Sequence, residues 1–320
     1  MQTVMRRAGW AVLLLGLLLL IIAHLMALVF RIQPAVSLWF PPSGVALALA
    51  IWFGPIGVAL TWIASFVMAP MWGIDGWARL ASWTDATEPL VSWLLYRYYW
   101  QGSQSLKSLR DVVAFIISAP ILGCITSAVL GSLTLVAIGK MPGENLMQII
   151  SHWWLGNAIG TMTLAPPALL LLTPYLQKRG RLCVLKENQE DLLRPALYTP
   201  QSKLRFYVEL LVILVFSFST AIMTVSQARE TGFSFQQFSF LNFVAIIWAA
   251  SRFGAIGGTL IASFCVFATL ASYLIAYPDA ISSPSFPVSP EVLHVHKLSL
   301  VVQCVVSLLL GTAIAQQAAT

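Results

Sequence analysis

Apolar residues along this chain come in long blocks, without the short stripes that alternate with polar faces in a soluble core. Blocks of about 20 residues match a bilayer-crossing helix. The pattern predicts helical spans over residues 9–30, 42–53, 55–71, 77–97, 111–138, 146–172, 206–225, 238–251, 255–276 and 297–315. The second and eighth are short, and each runs at once into a glycine turn and another apolar block, at Phe53-Gly54-Pro55 and Phe253-Gly254-Ala255. Each pair is either a tight helical hairpin or one long broken helix, which gives ten crossings or eight. The two turns echo one another. Phe53, Gly54, Ile56, Gly57 and Leu60 recur as Phe253, Gly254, Ile256, Gly257 and Leu260. Such an echo fits either a parallel duplication, as in some transporters, or a shared helix-packing solution that uses glycine for close approach.

Composition narrows the class. Hydrophobic residues make up 58% of the 320 and charged residues only 9%, against about 25% charged in a soluble domain. The expected fold is therefore all-α: a polytopic membrane bundle of about eight to ten helices, embedded as a single domain over 1–320. The net charge of +6 does not indicate nucleic-acid binding, because the basic residues lie between apolar blocks, where they set topology. With ten crossings and the N-terminus inside, the cytoplasmic side receives Arg6, Arg7, Arg97, Lys107, Arg110, Lys178, Arg179, Arg181, Lys186, Arg194, Lys203, Arg205 and Arg252. Arg31, Arg79, Lys140, Arg229 and Lys297 stay outside. Both termini are thus expected in the cytoplasm. The first block is too long for a signal peptide and lacks a clean cleavage site, so it reads as an uncleaved span. Polar residues 173–205 read as a cytoplasmic linker near anionic headgroups. Residues 277–296, with Pro278, Pro284, Pro287 and Pro290, read as an extended outer loop.

Candidate chemistry lies inside the spans, where ionisable residues usually face the bundle interior or a wet cavity. The fourth span carries Arg79, Asp85 and Glu88. Asp85 and Glu88 share one helix face, which implies a partner or a shared proton, while Arg79 can reach the outer surface. Near the outer end of the sixth span stand His152, Trp153, Trp154 and Asn157. The tryptophans suit an aromatic belt. Asn157 lies deeper, at a depth where it can meet Asp85. Trp39-Phe40-Pro41-Pro42 opens the second span as a rigid rim or pocket lid, proline being tolerated in a first helical turn. His24 is isolated, Glu209 is expected to reach the interface, and His294 with His296 lacks a third metal ligand. Cys124, Cys265 and Cys304 lie in apolar blocks and Cys183 in a basic loop, so neither disulfides nor a metal site are expected. No nucleotide-binding or catalytic signature is present, and neither a cofactor nor an enzymatic activity is expected.

Three segments together resemble the bacterial membrane-associated sensor domain of the first MASE type: Trp39-Phe-Pro-Pro-Ser-Gly-Val-Ala-Leu47, Thr84-Asp-Ala-Thr-Glu88-Pro-Leu, and Trp153-Trp-Leu-Gly-Asn-Ala-Ile-Gly160 leading to Leu164-Ala-Pro166. Trp248 to Leu260, with Arg252-Phe-Gly254, and Leu308-Leu-Leu-Gly311 extend the resemblance to roughly residues 10–315. It implies a sensory input module of about eight spans, similar to the N-terminal halves of diguanylate cyclases, cyclic-di-GMP phosphodiesterases and sensor histidine kinases, the hexose-phosphate uptake kinase among them. The family's polar intramembrane positions fall on Glu88 and Asn157, and family members often carry an acidic residue where this chain has Asn157. Members normally continue into a cytoplasmic catalytic domain. This sequence stops at Thr320, which fits a truncated form or a stand-alone sensor.

The expected function is detection of a small ligand or membrane partner at an outward-facing pocket bounded by Trp39, Pro41, Pro42, Asp85, Glu88, Trp153 and Asn157. Occupancy would bias the packing of the last helix and so a cytoplasmic output domain or partner protein. Membrane lipids and a second copy of the chain are further expected partners, in a bacterial cytoplasmic membrane. A small-solute transporter is the alternative reading, and a scaffold for other membrane proteins a third.

Overall fold

A computed structural model describes residues 9–33, 36–140, 142–144, 146–182, 203–231, 240–276 and 290–317. Nine helices account for most of them: α1 (Trp10–Val29), α2 (Pro41–Phe53), α3 (Pro55–Met68), α4 (Trp83–Trp93), α5 (Leu109–Ala137), α6 (Leu146–Lys178), α7 (Lys203–Thr231), α8 (Leu241–Ala276) and α9 (Pro290–Gln317). The chain divides into two compact units, one through α6 and one from α7 onward.

Burial runs inside out relative to a soluble protein. On α1 the buried positions are Leu13, Gly16, Leu20, Ala23, His24 and Ala27, while Leu14, Leu15, Leu18, Ile22, Leu25 and Met26 are exposed. The exposed face of α1 is therefore apolar, and its one ionisable residue points inward. On α7, Ser217, Thr220 and Thr224 are buried, while Leu211, Val215 and Phe218 are exposed. Among the described residues, seven helices are long and apolar enough to cross a membrane. Together these features define an all-α, polytopic membrane bundle.

In the first unit, α2 is enclosed on nearly every side, as a helix apolar all round should be. It packs on α1, α3, α4 and α6. Leu13, Leu20, Ala46, Leu49, Phe53 and Ala64 form a core between α1, α2 and α3. Between α1 and α2 the chain makes a small antiparallel ribbon of β1 (Arg31–Gln33) and β2 (Val36–Ser37). Buried Ser37 lies within hydrogen-bond distance of the carbonyls of Ala27, Phe30 and Trp39, which ties the end of α1 to the entry of α2.

The ambiguity over the two short spans resolves to hairpins. Gly54 ends α2 at φ 61°, ψ −133°. Eight residues apart on one straight helix are about 12 Å apart, yet a Cβ on Gly57 would lie 2.4 Å from the carbonyl oxygen of Leu49. The chain has doubled back. Within α8, Gly254 takes φ 64°, ψ −158°, and a Cβ on Gly258 would lie 3.0 Å from Cβ of Ala250. The sequence echo is thus the same corner built twice, with the same glycine conformation and nearly the same register across the arms.

Several expected boundaries shift. The fourth span opens with a 3-10 segment, Gly76–Ser82, and closes with a π-helical one, Leu94–Tyr99. A second π-helical segment, Ile117–Gly123, interrupts α5 at Pro120, where the ring removes a backbone donor. Residues 173–178 and 203–205 belong to α6 and α7, so they are helical and not linker; residues 183–202 lie outside the described ones, with Cys183, Lys186 and Arg194. Likewise α9 begins at Pro290, so residues 290–296 are the first two turns of a helix and not outer loop, with Pro at a terminus it tolerates. The rest of that loop, with Pro278, Pro284 and Pro287, lies outside the described residues, as do Arg6 and Arg7.

Candidate functional site

The site is built where α2 and α6 touch backbone to backbone. A Cβ on Gly44 would lie 2.4 Å from the Gly160 carbonyl oxygen, and one on Gly160 would lie 1.9 Å from that of Phe40. Neither position has room for any side chain. The Phe40 N–H, free because it stands at the start of α2, donates to Gly156 O at 3.1 Å. Trp39 locks the same junction. Its indole donates to Thr163 Oγ1 at 3.1 Å, and its ring stands edge-on to Phe30. Trp39 is therefore a buried anchor, and Pro41 a buried first-turn residue; neither lines the two cavities beside the site.

Glu88 of α4 is 3% exposed and gathers four helices. Its Oε2 accepts from Ser43 Oγ (2.9 Å, α2) and Asn157 Nδ2 (2.6 Å, α6). Its Oε1 accepts from Thr161 Oγ1 (3.1 Å, α6) and Cys124 Sγ (3.4 Å, α5). Two donors to each oxygen fill the acceptor capacity of a carboxylate. The π-helical turn of α5 makes this possible: Gly123 sits against Ser92 and the Glu88 backbone with no space for a side chain, and Cys124 follows it to the carboxylate.

Asp85, one turn earlier, is half-buried and shares the lining of two cavities with Ser65 of α3. Ser65 Oγ also lies 3.3 Å from His24 Nε2. Ser65 thus meets the isolated histidine of α1. A cavity of about 40 Å³ opens beside them. Its walls include Asp85, Asn157, Ser65, His24 and the rings of Phe40, Trp72 and Trp153. His24, Phe40 and Trp72 meet edge to face, with centroids 5.4 to 6.5 Å apart. A smaller cavity, about 10 Å³, is lined by Pro42, Ser43, Thr61, Asp85, Glu88 and Asn157.

Of the residues singled out from sequence, Pro42, Asp85, Glu88, Trp153 and Asn157 are thus brought together, and Asp85 and Asn157 share both cavities. Arg79 is half-buried. It is held at the end of α3, donating from Nε and one terminal nitrogen to the Phe66 carbonyl at 3.3 and 2.9 Å, with its guanidinium 4.4 Å from the Phe66 ring centroid. Ser43, Cys124, Thr161, His24, Ser65 and Trp72 were not singled out as site residues. Thr161 could have been, since it follows Asn157 by one helical turn. His24 could also have been, as an ionisable group inside a span. Nothing in the sequence marks Cys124.

In the second unit, Glu209 is half-buried near the start of α7. Its carboxylate takes Arg252 in a two-pronged pair, at 2.7 and 3.3 Å, and the Trp248 indole at 2.9 Å. His294 and His296 sit within α9, and His296 is buried.

Apolar faces turned outward, with polar side chains converging inside, define a multi-pass α-helical membrane protein whose interior holds a polar site. Over residues 10–318 the chain matches the MASE1 family, and it belongs to that family of membrane-associated sensory domains. No curated protein and no solved structure matched the chain.

Proposed function

We propose that this chain is the sensory input module of a bacterial cytoplasmic membrane, with its N-terminus inside, detecting a small ligand in the polar core of its first unit. The observation that carries the reading is the Glu88 hub. One carboxylate joins α2, α4, α5 and α6, so a ligand that engages its neighbours Asp85 and Asn157 acts on four helices at once. A signal requires two packings with different ligand affinity, and a coupling of about 1–3 kcal/mol suffices. The π-helical segments flanking the hub supply helices whose hydrogen-bond register can change, a feature common at functional sites. The output is a cytoplasmic domain, on the same polypeptide or a partner, of the cyclic-di-GMP or histidine kinase type.

The test fuses a reporter cyclase or kinase domain after Thr320 and compares wild type with Glu88→Gln and Asp85→Asn. Output that depends on the membrane part and shifts in either variant is the expected result. Output indifferent to both, with membrane insertion intact, would overturn the reading. The duplicated hairpin with an intramembrane polar cavity also suits a transporter. Solute counterflow in proteoliposomes separates the two, since a sensor gives none.

A further inference from the structure

The cavity beside Asp85 has a donor and acceptor balance that specifies its occupant. Ser37, Ser82 and Thr84 line it, and each lies within hydrogen-bond distance of backbone carbonyls that take its single proton: Ser37 at Ala27, Phe30 and Trp39, Ser82 at Arg79 (2.7 Å), and Thr84 at Ala81 (2.8 Å). Ser65 Oγ lies 3.3 Å from His24 Nε2, and with Nε2 carrying the imidazole proton Nδ1 is a bare lone pair. That Nδ1 is buried and has no hydrogen-bond partner, on a side chain only 1% exposed. The wall therefore offers the Asp85 carboxyl, an imidazole lone pair and spent hydroxyl oxygens as acceptors, beside the Asn157 amide that donates to Glu88.

Against them stands a buried donor without a partner. Trp72 Nε1 is buried without a partner, and its ring lines the same cavity. Three aromatic rings, of Phe40, Trp72 and Trp153, complete the wall. Among the described residues no cationic side chain lines it. A carboxylate set among aromatic rings is the chemistry that receives an ammonium group. The orphan indole N–H asks for an oxygen, and with Asp85 and Glu88 close by that oxygen must be uncharged. At about 10–15 Å³ per water-sized position, the volume of about 40 Å³ admits a chain of a few non-hydrogen atoms.

We infer that this cavity binds a short primary amino alcohol in its ammonium form, the ammonium group meeting Asp85 and His24 Nδ1 and the hydroxyl meeting Trp72. The inference rests on the sensory reading of the same site. The same head group occurs as a free solute and on aminolipids.

Isothermal titration of the full chain in nanodiscs of choline lipid tests it, with ethanolamine as probe. Ethylammonium, tetramethylammonium and potassium serve as comparators at constant ionic strength. Saturable heat for ethanolamine is expected, weaker for ethylammonium and absent for the other two. Asp85→Asn should weaken ethanolamine at least about tenfold, the scale of one charge-assisted hydrogen bond. Trp72→Phe keeps the ring and removes the N–H, so it should erase the difference between ethanolamine and ethylammonium. Absence of saturable heat for ethanolamine, an equal response to potassium or tetramethylammonium, or an unchanged ethanolamine affinity in folded Asp85→Asn would each overturn the inference. Repeating the titration in nanodiscs containing ethanolamine lipid identifies the source: sites already filled point to the headgroup, and unchanged free binding points to the solute. Binding without any reporter output would sink the sensory reading alone. Output that shifts in Asp85→Asn without ethanolamine binding would sink the ligand class alone.

Discussion

The amide of Asn157 donates to Glu88 Oε2 over 2.6 Å, joining residues 69 positions apart in the chain. The same carboxylate also holds Ser43, Thr161 and Cys124. Removing it leaves these donors facing one another in a dry interior, where each unsatisfied group costs about 1–3 kcal/mol. Glu88→Ala should therefore lower stability by more than about 3 kcal/mol. Glu88→Gln, which keeps one acceptor oxygen but turns an amide on part of the donor set, should lose about 1–3 kcal/mol. Thermal unfolding in detergent, followed by near-ultraviolet circular dichroism, checks both values. Equal melting temperatures for the two variants would mean that the hub is packing and not hydrogen bonding.

Two glycines that look alike in sequence should behave differently. At Gly160 a new methyl group would meet the Phe40 carbonyl at 1.9 Å, a backbone atom held by the helix start. At Gly16 it would meet Leu49 Cδ2 at 2.9 Å, the far end of a flexible side chain. Gly160→Ala must push α2 away from α6 and should cost at least about 3 kcal/mol, at or beyond the upper end of ordinary overpacking. Gly16→Ala should cost less than about 1 kcal/mol, because Leu49 can turn. Folded yield and melting temperature in the same detergent compare them directly.

The paired corners invite a matched experiment. At Gly54 and Gly254 the backbone lies at positive φ with strongly negative ψ, a region open almost only to glycine. Gly54→Ala and Gly254→Ala should each destabilise by about 1–3 kcal/mol, with similar size because the corner is the same. Gly139→Ala serves as a control. It also lies at positive φ, 70°, but has nothing within 4 Å and follows the end of α5. Unfolding midpoints for the three single variants give the comparison.

Sequence reading went furthest where physics is one-dimensional. Apolar block length placed the helices, and one-turn spacing put Asp85 with Glu88 on a shared face. It also anticipated that Asn157 reaches their depth. What it could not supply was the third dimension of close contacts. Glu88 needs Ser43 from 45 positions away and Cys124 from 36, and hydroxyls and thiols are common enough in spans to carry no signal. Nor did the tryptophans declare themselves. Trp39 looked like a rim residue, yet it is buried, because Thr163 stands ready to accept its indole N–H. The corner glycines were legible as turns, but hairpin and broken helix share one hydropathy pattern. Close approaches across the corners, Gly57 to Leu49 and Gly258 to Ala250, separate them. Nor did the partners of Arg79 and Glu209 show in the sequence. A charged residue near a helix end can snorkel, and each also takes a protein partner: the Phe66 carbonyl for Arg79, Arg252 for Glu209.

The Glu209–Arg252 pair yields the last prediction. Arg252 stands two residues before the corner glycine of α8, and Trp248 stands one turn earlier, so a single carboxylate on α7 fixes the end of an arm. The Arg252 side chain is 35% exposed and that of Glu209 11%. Solvent therefore screens the pair, and its net worth lies nearer that of a surface bridge than a buried one. Glu209→Gln should cost about 1 kcal/mol, since Gln still accepts from one of its partners. Arg252→Lys should cost nearly as much despite keeping the charge, because an ammonium cannot reproduce the two-pronged contact. If the two-pronged geometry matters, Glu209→Gln and Arg252→Lys combined should cost less than their sum in a double-mutant cycle of melting temperatures. Strict additivity would reduce the pair to two residues that happen to be neighbours.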